Sequence, residues 1–467
     1  MSSLTASHLA IRLGAWYGDE ERQLEIPAGW EVDMLVPATP EPIGEAAIRS
    51  AIEAPVGQPP LRVAARGKRR PLIVVDDLTR PTPTDIVIPH VLRELDAAGI
   101  PRQDVRIIVA SGAHGRPHPE AAAKKAGRDA AATCRLLLHD PRATGVSLGR
   151  TSFGTPVIVN SEVASSDFLI GIGGVYPQHS VGFGGGSKLL LGVLAHRSIV
   201  GLHYGHSSVA GSYDIDNDFR RDLDEMALIA GLRTVVTLHI DAARRPVRVV
   251  AGDPRSFYEE AARYSRVHYA AAPAGDRYDV VIANAYPMDV SLTFARSKGL
   301  APLAHAGREA SRVLIAACPE GLGLHRLFPY LNGPRFEAAV HRLRRWSVVH
   351  PSTVPVRALG KARSTVSRLR ARPAPRPARE APRQQFAGQI SQSPSRSVHL
   401  WTPMAPAGSL PKVMPGMLHA SDWGQVVSRI LEEQSGRGRL RVAVYACAPL
   451  QCIESAPARA LLEAAEC

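Results

Sequence analysis

The chain has 467 residues, of which 45% are hydrophobic and 5% aromatic, and its formal net charge at pH 7 is +13. This length exceeds that of a typical single core, so we expect two or three domains. The sequence has no run of about 18 uncharged apolar residues and no basic-then-apolar leader, which argues against a membrane-spanning or exported protein. The five cysteines are widely spread and form no metal-ligand pair, so we expect a reducing, cytoplasmic environment.

The first motif follows a predicted buried strand at residues 72–75, whose continuous apolar run is typical of a parallel sheet. Asp77, Thr79 and Arg80 come at the carboxyl end of this strand, before a helix whose start is marked by proline and threonine. Ligands of open α/β sheets bind at such carboxyl ends, so these side chains indicate a site. Two prolines and a capping threonine would also explain the turn as purely structural.

His114 follows the next predicted strand, VRIIVA. A single histidine in a loop is usually structural or merely solvated. Here two strand-to-helix turns direct polar groups to the same edge of the predicted sheet, because parallel strands end on the same side. A catalytic histidine and a structural one are therefore equally well supported by the residues alone.

The stretch 171–206 is dense in glycine and histidine, and in it Lys188 follows a run of three glycines: Gly184, Gly185 and Gly186. Such glycines let the backbone approach a ligand closely. The following LLLGVLA predicts a buried helix whose free N–H groups favour an anion such as a phosphate. The spacing does not fit a P-loop, because Ser187 separates the last glycine from the lysine. A glycine-rich turn with scattered core histidines is the alternative.

A second α/β unit is predicted from about residue 279, where a strand, a helix and a further strand alternate. Two later apolar runs, near 398 and 441, are interpreted as strands that could complete its sheet. We therefore predict an α/β fold with two α/β domains, mainly parallel sheets and a cleft between them. The predicted division is an N-terminal domain over 1–270 and a C-terminal domain over 271–467.

Most of the net positive charge comes from one segment, residues 357–396, which holds ten Lys and Arg residues against the single acid Glu380. The segment is rich in proline and arginine and lacks apolar periodicity, so we interpret about 357–397 as a solvated, partly disordered insertion. Phe386 is its single aromatic residue, so aromatic side chains for base stacking are not interleaved with the basic ones, which does not favour nucleic-acid binding. Binding of RNA or of an acidic surface remains an alternative.

Together these motifs resemble the lactate racemase family, whose members carry a nickel-pincer nucleotide. The resemblance covers roughly residues 10–330. It rests on motifs that occur in the family's order: DDLTRP at 76–81, GAH at 112–114, GFGGGSK at 182–188, then His203 and Lys298. The resemblance implies racemisation or epimerisation of a small 2-hydroxy acid. It also implies partner enzymes that synthesise the cofactor.

Residue roles follow from the same resemblance. Lys188 would bond the pincer nucleotide covalently, and His203 would be the protein ligand of nickel, a role that suits imidazole. Asp77 and Thr79, with the three glycines before Lys188, would hold the nucleotide. The remaining roles concern the substrate. His114 would be the acid–base residue, and Arg80 and Lys298 would bind the substrate carboxylate.

Besides a small departure at Gly115, which stands before Arg116, two departures from the family pattern affect the predicted chemistry. Gln178 stands where the family has a second catalytic histidine, with His179 one step later, and Phe294-Ala295 replaces a Tyr-Gln pair. Glutamine cannot usefully accept a proton near pH 7, so either His179 completes a shifted two-base site or His114 works alone. Two other functions are left open: a pincer-nucleotide-binding relative with other redox chemistry or no racemase activity, and a non-catalytic phosphate-ligand or RNA-associated protein.

Overall fold

The computed structural model describes residues 7–115, 117–178, 181–206, 213–327, 397–412, 414 and 416–454. His179 and the basic segment 357–396 lie outside these residues, so the predictions made for them are not addressed by the structure. Within the described ranges, no helix is long and apolar enough to cross a membrane.

Strands in the described residues are numbered in chain order: β1 Ser7–Leu13, β2 Glu20–Ile26, β3 Trp30–Leu35, β4 Pro71–Asp76, β5 Arg106–Ala110, β6 Arg135–Leu138, β7 Val146–Arg150, β8 Pro156–Val159, β9 Phe168–Gly174, β10 Pro177–Gln178, β11 Gly182–Phe183, β12 Leu232–Ile240, β13 Pro246–Gly252, β14 Ala270–Ala271, β15 Val280–Asn284, β16 Ser311–Ile315, β17 Val398–Trp401, β18 Met417–Ala420, β19 Leu440–Tyr445 and β20 Cys452–Ile453.

Helices in the same residues are numbered likewise, and one 3₁₀ turn, Arg102–Asp104, precedes β5. The helices are α1 Glu45–Glu53, α2 Leu61–Ala64, α3 Thr84–Ala97, α4 Pro119–Ala126, α5 Arg128–Thr133, α6 Ser161–Ala164, α7 Lys188–Leu191, α8 His196–Gly205, α9 Asp218–Ala230, α10 Pro254–His268, α11 Leu292–Gly299, α12 Ala301–Ala304 and α13 Trp423–Glu433.

The first sheet has the order β13-β12-β9-β4-β5-β6. All neighbours are parallel except the edge pair β12–β13. Every residue of β4 and β5 is buried, because helices and loops cover both faces of the sheet and separate two apolar cores. The buried strand predicted at 72–75 and the strand before His114 are therefore the two inner strands that carry the polar turns.

The second sheet has the order β18-β17-β16-β15-β19-β3 and is parallel throughout. Two further apolar cores lie on its faces. The strands predicted near 398 and 441 complete it as β17 and β19. The α/β fold class with mainly parallel sheets is thus confirmed. Residues Trp30–Leu35 belong to this second sheet, as β3 beside β19, although they lie early in the chain.

The helix predicted after Lys188 is shorter than expected. α7 has only four residues, and Gly192 follows it against β5. A Cβ atom on Gly192 would lie 2.4 Å from the Cβ of Ala110, so the chain passes too close to the sheet to continue as a helix of larger residues. The consequence is a sharp turn that holds Lys188 above the carboxyl ends of the strands.

Candidate active site

A cleft of about 660 Å³, including its open mouth, lies at the carboxyl ends of the first sheet. Arg80 and His114 line it from the turns after β4 and β5, and Gln178 and Lys188 line it from the chain that follows β9. Lys298 lines it from α11, a helix between two strands of the second sheet. With Asp77, Gly184 and Gly185, which also line the cleft, the structure brings together eight of the residues that the sequence singled out.

Asp77, Thr79 and His114 form a hydrogen-bonded unit. The Asp77 carboxylate accepts a hydrogen bond from His114 Nδ1 at 2.7 Å and one from Thr79 Oγ1 at 2.5 Å. Burial alone would raise the pKa of Asp77, but the charge and hydrogen bond of His114, with Arg80, bring it below its usual value. Burial lowers the pKa of His114 despite this carboxylate. At neutral pH the unit is therefore a carboxylate that orients a neutral imidazole, and Nε2 is the nitrogen able to accept a proton.

Arg80 is fixed by the turn that carries it. Its Nη1 donates to the Thr79 hydroxyl at 3.1 Å and to the Thr79 carbonyl at 3.2 Å. Its own carbonyl accepts from Trp16 Nε1 at 3.1 Å and from Lys125 Nζ at 3.1 Å. Main chain and side chain of Arg80 are both held, so the planar guanidinium is preorganised for an anion such as a carboxylate.

Lys298 and Gln178 meet across the cleft, where Lys298 Nζ donates a short hydrogen bond to Gln178 Oε1. Burial, followed by the charges of Arg80 and Lys188, moves the pKa of Lys298 well below its usual range. The amide of Gln178 therefore contacts a buried amine that is carried by a helix of the second sheet.

Lys188 is the first residue of α7 and closely follows the glycine run. Burial, then the charges of Arg80 and Arg220, lower its pKa to about 7. A lysine with such a pKa is substantially unprotonated at neutral pH, and an unprotonated amine is the nucleophile that an amide-type linkage needs.

The glycine run before Lys188 passes close to other groups. Gly184 and Gly185 line the cleft, and a Cβ on Gly185, whose φ is +77°, would lie 3.0 Å from the carbonyl oxygen of Gly174. Gly186 instead packs on the ring of Tyr258, which a Cβ would approach to 2.6 Å. The Tyr258 hydroxyl donates to the Gly184 carbonyl at 2.8 Å and so anchors the run. The space for a ligand is therefore on the side of Gly184 and Gly185.

His203 lies on α8, with its ring edge-on to Phe219 at 4.9 Å between centroids. Its Nδ1 donates to the Ile199 carbonyl at 2.8 Å, which makes Nε2 the nitrogen with the lone pair. Burial and then the charge of Lys188 lower its pKa to about 3. A neutral imidazole whose other N–H bonds a backbone carbonyl is the usual form of a metal-ligating histidine. Among the described residues, no group of three or more His, Cys, Asp or Glu side chains is arranged to hold a metal ion by itself.

Two buried residues of the site were missed by the sequence analysis. His325, from the loop after β16, lies 5.4 Å from His114 between ring centroids. Lys125, on α4, is 0% exposed and donates to Asp76 Oδ1 at 2.6 Å. The signal available for His325 was its place after the carboxyl end of a strand of the second sheet. Lys125 carried no signal, because a lysine on a short helix is usually solvated.

Comparisons with known proteins agree with the resemblance. Residues 17–212 match the family model of the lactate racemase N-terminal domain. The lactate racemase of Lactiplantibacillus plantarum is 26% identical over 279 residues, which cover 58% of this chain and 65% of that protein. The lactate racemase of Thermoanaerobacterium thermosaccharolyticum is 26% identical over 290 residues, which cover 59% and 66%. The match thus spans just under two thirds of the length of these curated relatives.

Solved structures show the same fold. The lactate racemase apoprotein from Thermoanaerobacterium thermosaccharolyticum superposes with a TM-score of 0.64 at 19% identity, over 96% of this chain and 100% of that one. A protein from Thermotoga maritima superposes with a TM-score of 0.52 at 15% identity, over 87% and 99%. Residues 17–212 are thus similar to the lactate racemase N-terminal domain, and the chain shares the fold of a solved lactate racemase apoprotein.

Proposed function

We propose that this protein racemises or epimerises a small 2-hydroxy acid and uses a nickel-pincer nucleotide held by Lys188 and His203. One observation carries the proposal: four basic side chains from separate elements line one cleft, namely Arg80, His114, Lys188 and Lys298. The curated relatives named above are lactate racemases, and their activity is carried over to this chain as part of the proposal.

The carboxylate of the substrate would bind between the two domains. Arg80 offers a guanidinium whose position is set by Thr79, and Lys298 offers an amine from α11. A planar guanidinium can bind both oxygens of a carboxylate, whereas an amine acts as a point donor. With its carboxylate fixed there, the C2 hydroxyl of the acid would lie within the cleft, toward His114.

Proton transfer would be the task of His114. Because Nδ1 is engaged by Asp77 at 2.7 Å, Nε2 would take the hydroxyl proton, and Asp77 would stabilise the imidazolium that forms. The imidazolium would return the proton when the planar keto acid is reduced.

The residues present fit the cofactor that the family resemblance implies. Lys188 supplies an amine whose pKa of about 7 suits a covalent linkage. His203 supplies an imidazole whose Nε2 can ligate nickel, and Gly184 and Gly185 leave room for close approach of a nucleotide. When bound, such a group supplies a hydride acceptor and donor that amino-acid side chains lack. The partners that we propose are a small 2-hydroxy acid and the enzymes that synthesise the cofactor.

One alternative function has a specific observation in its favour. Gln178 and Phe294 replace polar, titratable groups of the family, and Gln178 is engaged by Lys298. A pincer-nucleotide-binding relative with other redox chemistry, or without racemase activity, would tolerate these changes. The RNA-associated alternative depends on the basic segment, which lies outside the described residues.

A racemisation assay distinguishes these possibilities. The protein is co-expressed with the cofactor-synthesis enzymes and incubated separately with each enantiomer of lactate, malate, phenyllactate and sugar acids, and chiral chromatography follows the products. We expect at least one acid to be converted from both enantiomers. A protein that carries the cofactor but converts none of them would instead support the alternative.

A further inference from the structure

His325 lies beside His114 but belongs to none of the motifs that the sequence singled out. The residue is 8% exposed, and its ring centroid is 5.4 Å from that of His114 with an angle of 58° between the planes. We propose that His325 is a second acid–base residue of this site, contributed by the second domain and paired with His114. This inference rests on the proposed function and adds a residue to it.

The main chain holds the two histidines together. His114 and His325 form an antiparallel β-bridge, and the amide of Arg326 donates to the carbonyl of Ala113 at 2.8 Å. These contacts join the turn after β5 to the loop after β16. Main-chain contacts between the two loops therefore bring His114 and His325 together.

Phe294 encloses the pair. Its ring centroid is 4.5 Å from that of His114, in an edge-on arrangement, and 5.8 Å from that of His325. An apolar ring at this place limits access of water and favours the neutral form of each imidazole. Neutral imidazole is the form that accepts a proton.

Titratable groups of the site lie near His325. After burial, the groups that lower its pKa are four residues of the candidate site: His114, His203, Arg80 and Lys298. These residues come from both domains and include the proposed carboxylate ligands. His325 therefore lies next to the cleft, beside His114, which lines it.

Racemisation gives such a residue a task. Two enantiomers that share one carboxylate site and lose hydride toward the same group direct their hydroxyls differently, so one proton acceptor serves them unequally. Gln178 cannot be the second acceptor, because an amide is not basic near pH 7 and its Oε1 already accepts from Lys298. His325 carries an imidazole, which can accept a proton, and it lies beside His114.

The proposed step balances in both directions. The C2–H bond breaks, and its hydrogen would leave with the electron pair, as hydride, to the acceptor that the bound cofactor would supply. The O–H bond breaks, its proton passes to His114 or His325, and a C=O bond forms. In the return step, the imidazolium formed first releases its proton to solvent, and the other imidazole takes up a proton from solvent and gives it to the oxygen. Hydride would add to the opposite face of the keto acid as the C=O bond becomes C–O.

The test uses His325→Gln in the protein co-expressed with the cofactor-synthesis enzymes. Glutamine keeps the approximate size and hydrogen bonding of histidine but cannot accept a proton. We expect kcat for racemisation to fall roughly 100-fold or more, as is typical for loss of an acid–base group, with little change in KM. The intact mass and the nickel content should match those of the wild type, since His325 is not proposed to hold the cofactor.

A second substitution separates chemistry from structure. Adding Gln178→His to His325→Gln returns an imidazole to the cleft, and we expect at least about tenfold recovery of kcat, because proton acceptance is restored. A purely structural role of His325 would not be relieved by a change at position 178.

His325→Asn is prepared in parallel, and circular dichroism shows which of the two His325 variants is folded. The control is His419→Gln, in the second sheet, where the imidazole contacts Thr402 at 2.7 Å; its activity should stay within about twofold.

The inference is overturned if loaded His325→Gln racemises as fast as the wild type, or if the loss is not recovered by Gln178→His. In both cases the wild type itself racemises. A wild type that carries no cofactor or converts no 2-hydroxy acid contradicts the proposed function instead, so the two failures are distinct.

Discussion

Replacing Lys125 by methionine tests how the turn that carries Arg80 is held. Lys125 Nζ is buried and donates to three oxygens: Asp76 Oδ1 at 2.6 Å, the Thr82 carbonyl at 3.0 Å and the Arg80 carbonyl at 3.1 Å. Its ammonium also lies 4.4 Å from the centre of the Trp16 ring. Methionine retains an unbranched apolar side chain of similar length and removes only the charge and the donors.

We expect a large decrease in the free energy of unfolding, because the Asp76 carboxylate loses the ammonium that pairs with it. Removing one member of a buried ion pair destabilises a protein by about 3–5 kcal/mol, since the remaining charge stays desolvated. With a urea slope of about 3 kcal/mol/M, the unfolding midpoint should fall by about 1–1.7 M. Arg80 should also be held less firmly, so we expect KM for the substrate to rise in the loaded enzyme.

Urea unfolding followed by circular dichroism provides the assay, with a double variant as the control. Adding Asp76→Asn to Lys125→Met removes the uncompensated charge, so the double variant should be more stable than the two single losses added together predict. A free energy of unfolding for Lys125→Met within about 0.5 kcal/mol of the wild type, the range of ordinary surface changes, would refute this reasoning. Strict additivity in the double variant would refute it as well.

Three other predictions concern the cleft. Asp77→Asn should lower kcat roughly 100-fold or more, because His114 loses the carboxylate at 2.7 Å that stabilises its protonated form; steady-state kinetics with less than about a threefold change would contradict this. Trace acetylation of Lys188 in the protein without cofactor, followed by peptide mass spectrometry, should rise with pH through a midpoint of about 7, since only the unprotonated amine reacts; a midpoint near the ordinary lysine value of about 10.4 would contradict it. Gly192→Ala should destabilise the protein by about 1–3 kcal/mol in urea unfolding, because the new Cβ would lie 2.4 Å from the Cβ of Ala110; Gly438→Ala, where nothing lies within 4 Å, is the control that should change little.

The polar turns of the first sheet could be predicted from the sequence because the strands before them are unusual. β4 and β5 are continuous apolar runs, and such runs mark strands buried on both faces. Once these strands are assigned, Asp77 and His114 must lie at the same edge. The sequence could also place Lys298 on a helix of the second domain, but it could not show that this lysine reaches Gln178.

Contacts between distant parts of the chain could not be predicted from the sequence. His325 pairs with His114 through a β-bridge between two loops, and no local sequence pattern predicts such a bridge. β3 joins the second sheet beside β19. Parallel neighbours can lie far apart in the chain, so the local sequence does not show which strands pair. Lys125 is buried because Asp76, Trp16 and two carbonyl oxygens surround it, whereas a lysine on a short helix is normally exposed. The length of α7 depended on the close approach of Gly192 to Ala110, which is also a tertiary effect.

Intact-mass spectrometry combined with metal analysis tests the central claim most directly. The wild type, Lys188→Ala and His203→Ala are each purified after co-expression with the enzymes that make the pincer nucleotide. We expect added mass and bound nickel in the wild type, no added mass in Lys188→Ala, and loss of nickel in His203→Ala. An unmodified wild-type mass without nickel, or an adduct that survives Lys188→Ala, would contradict the account.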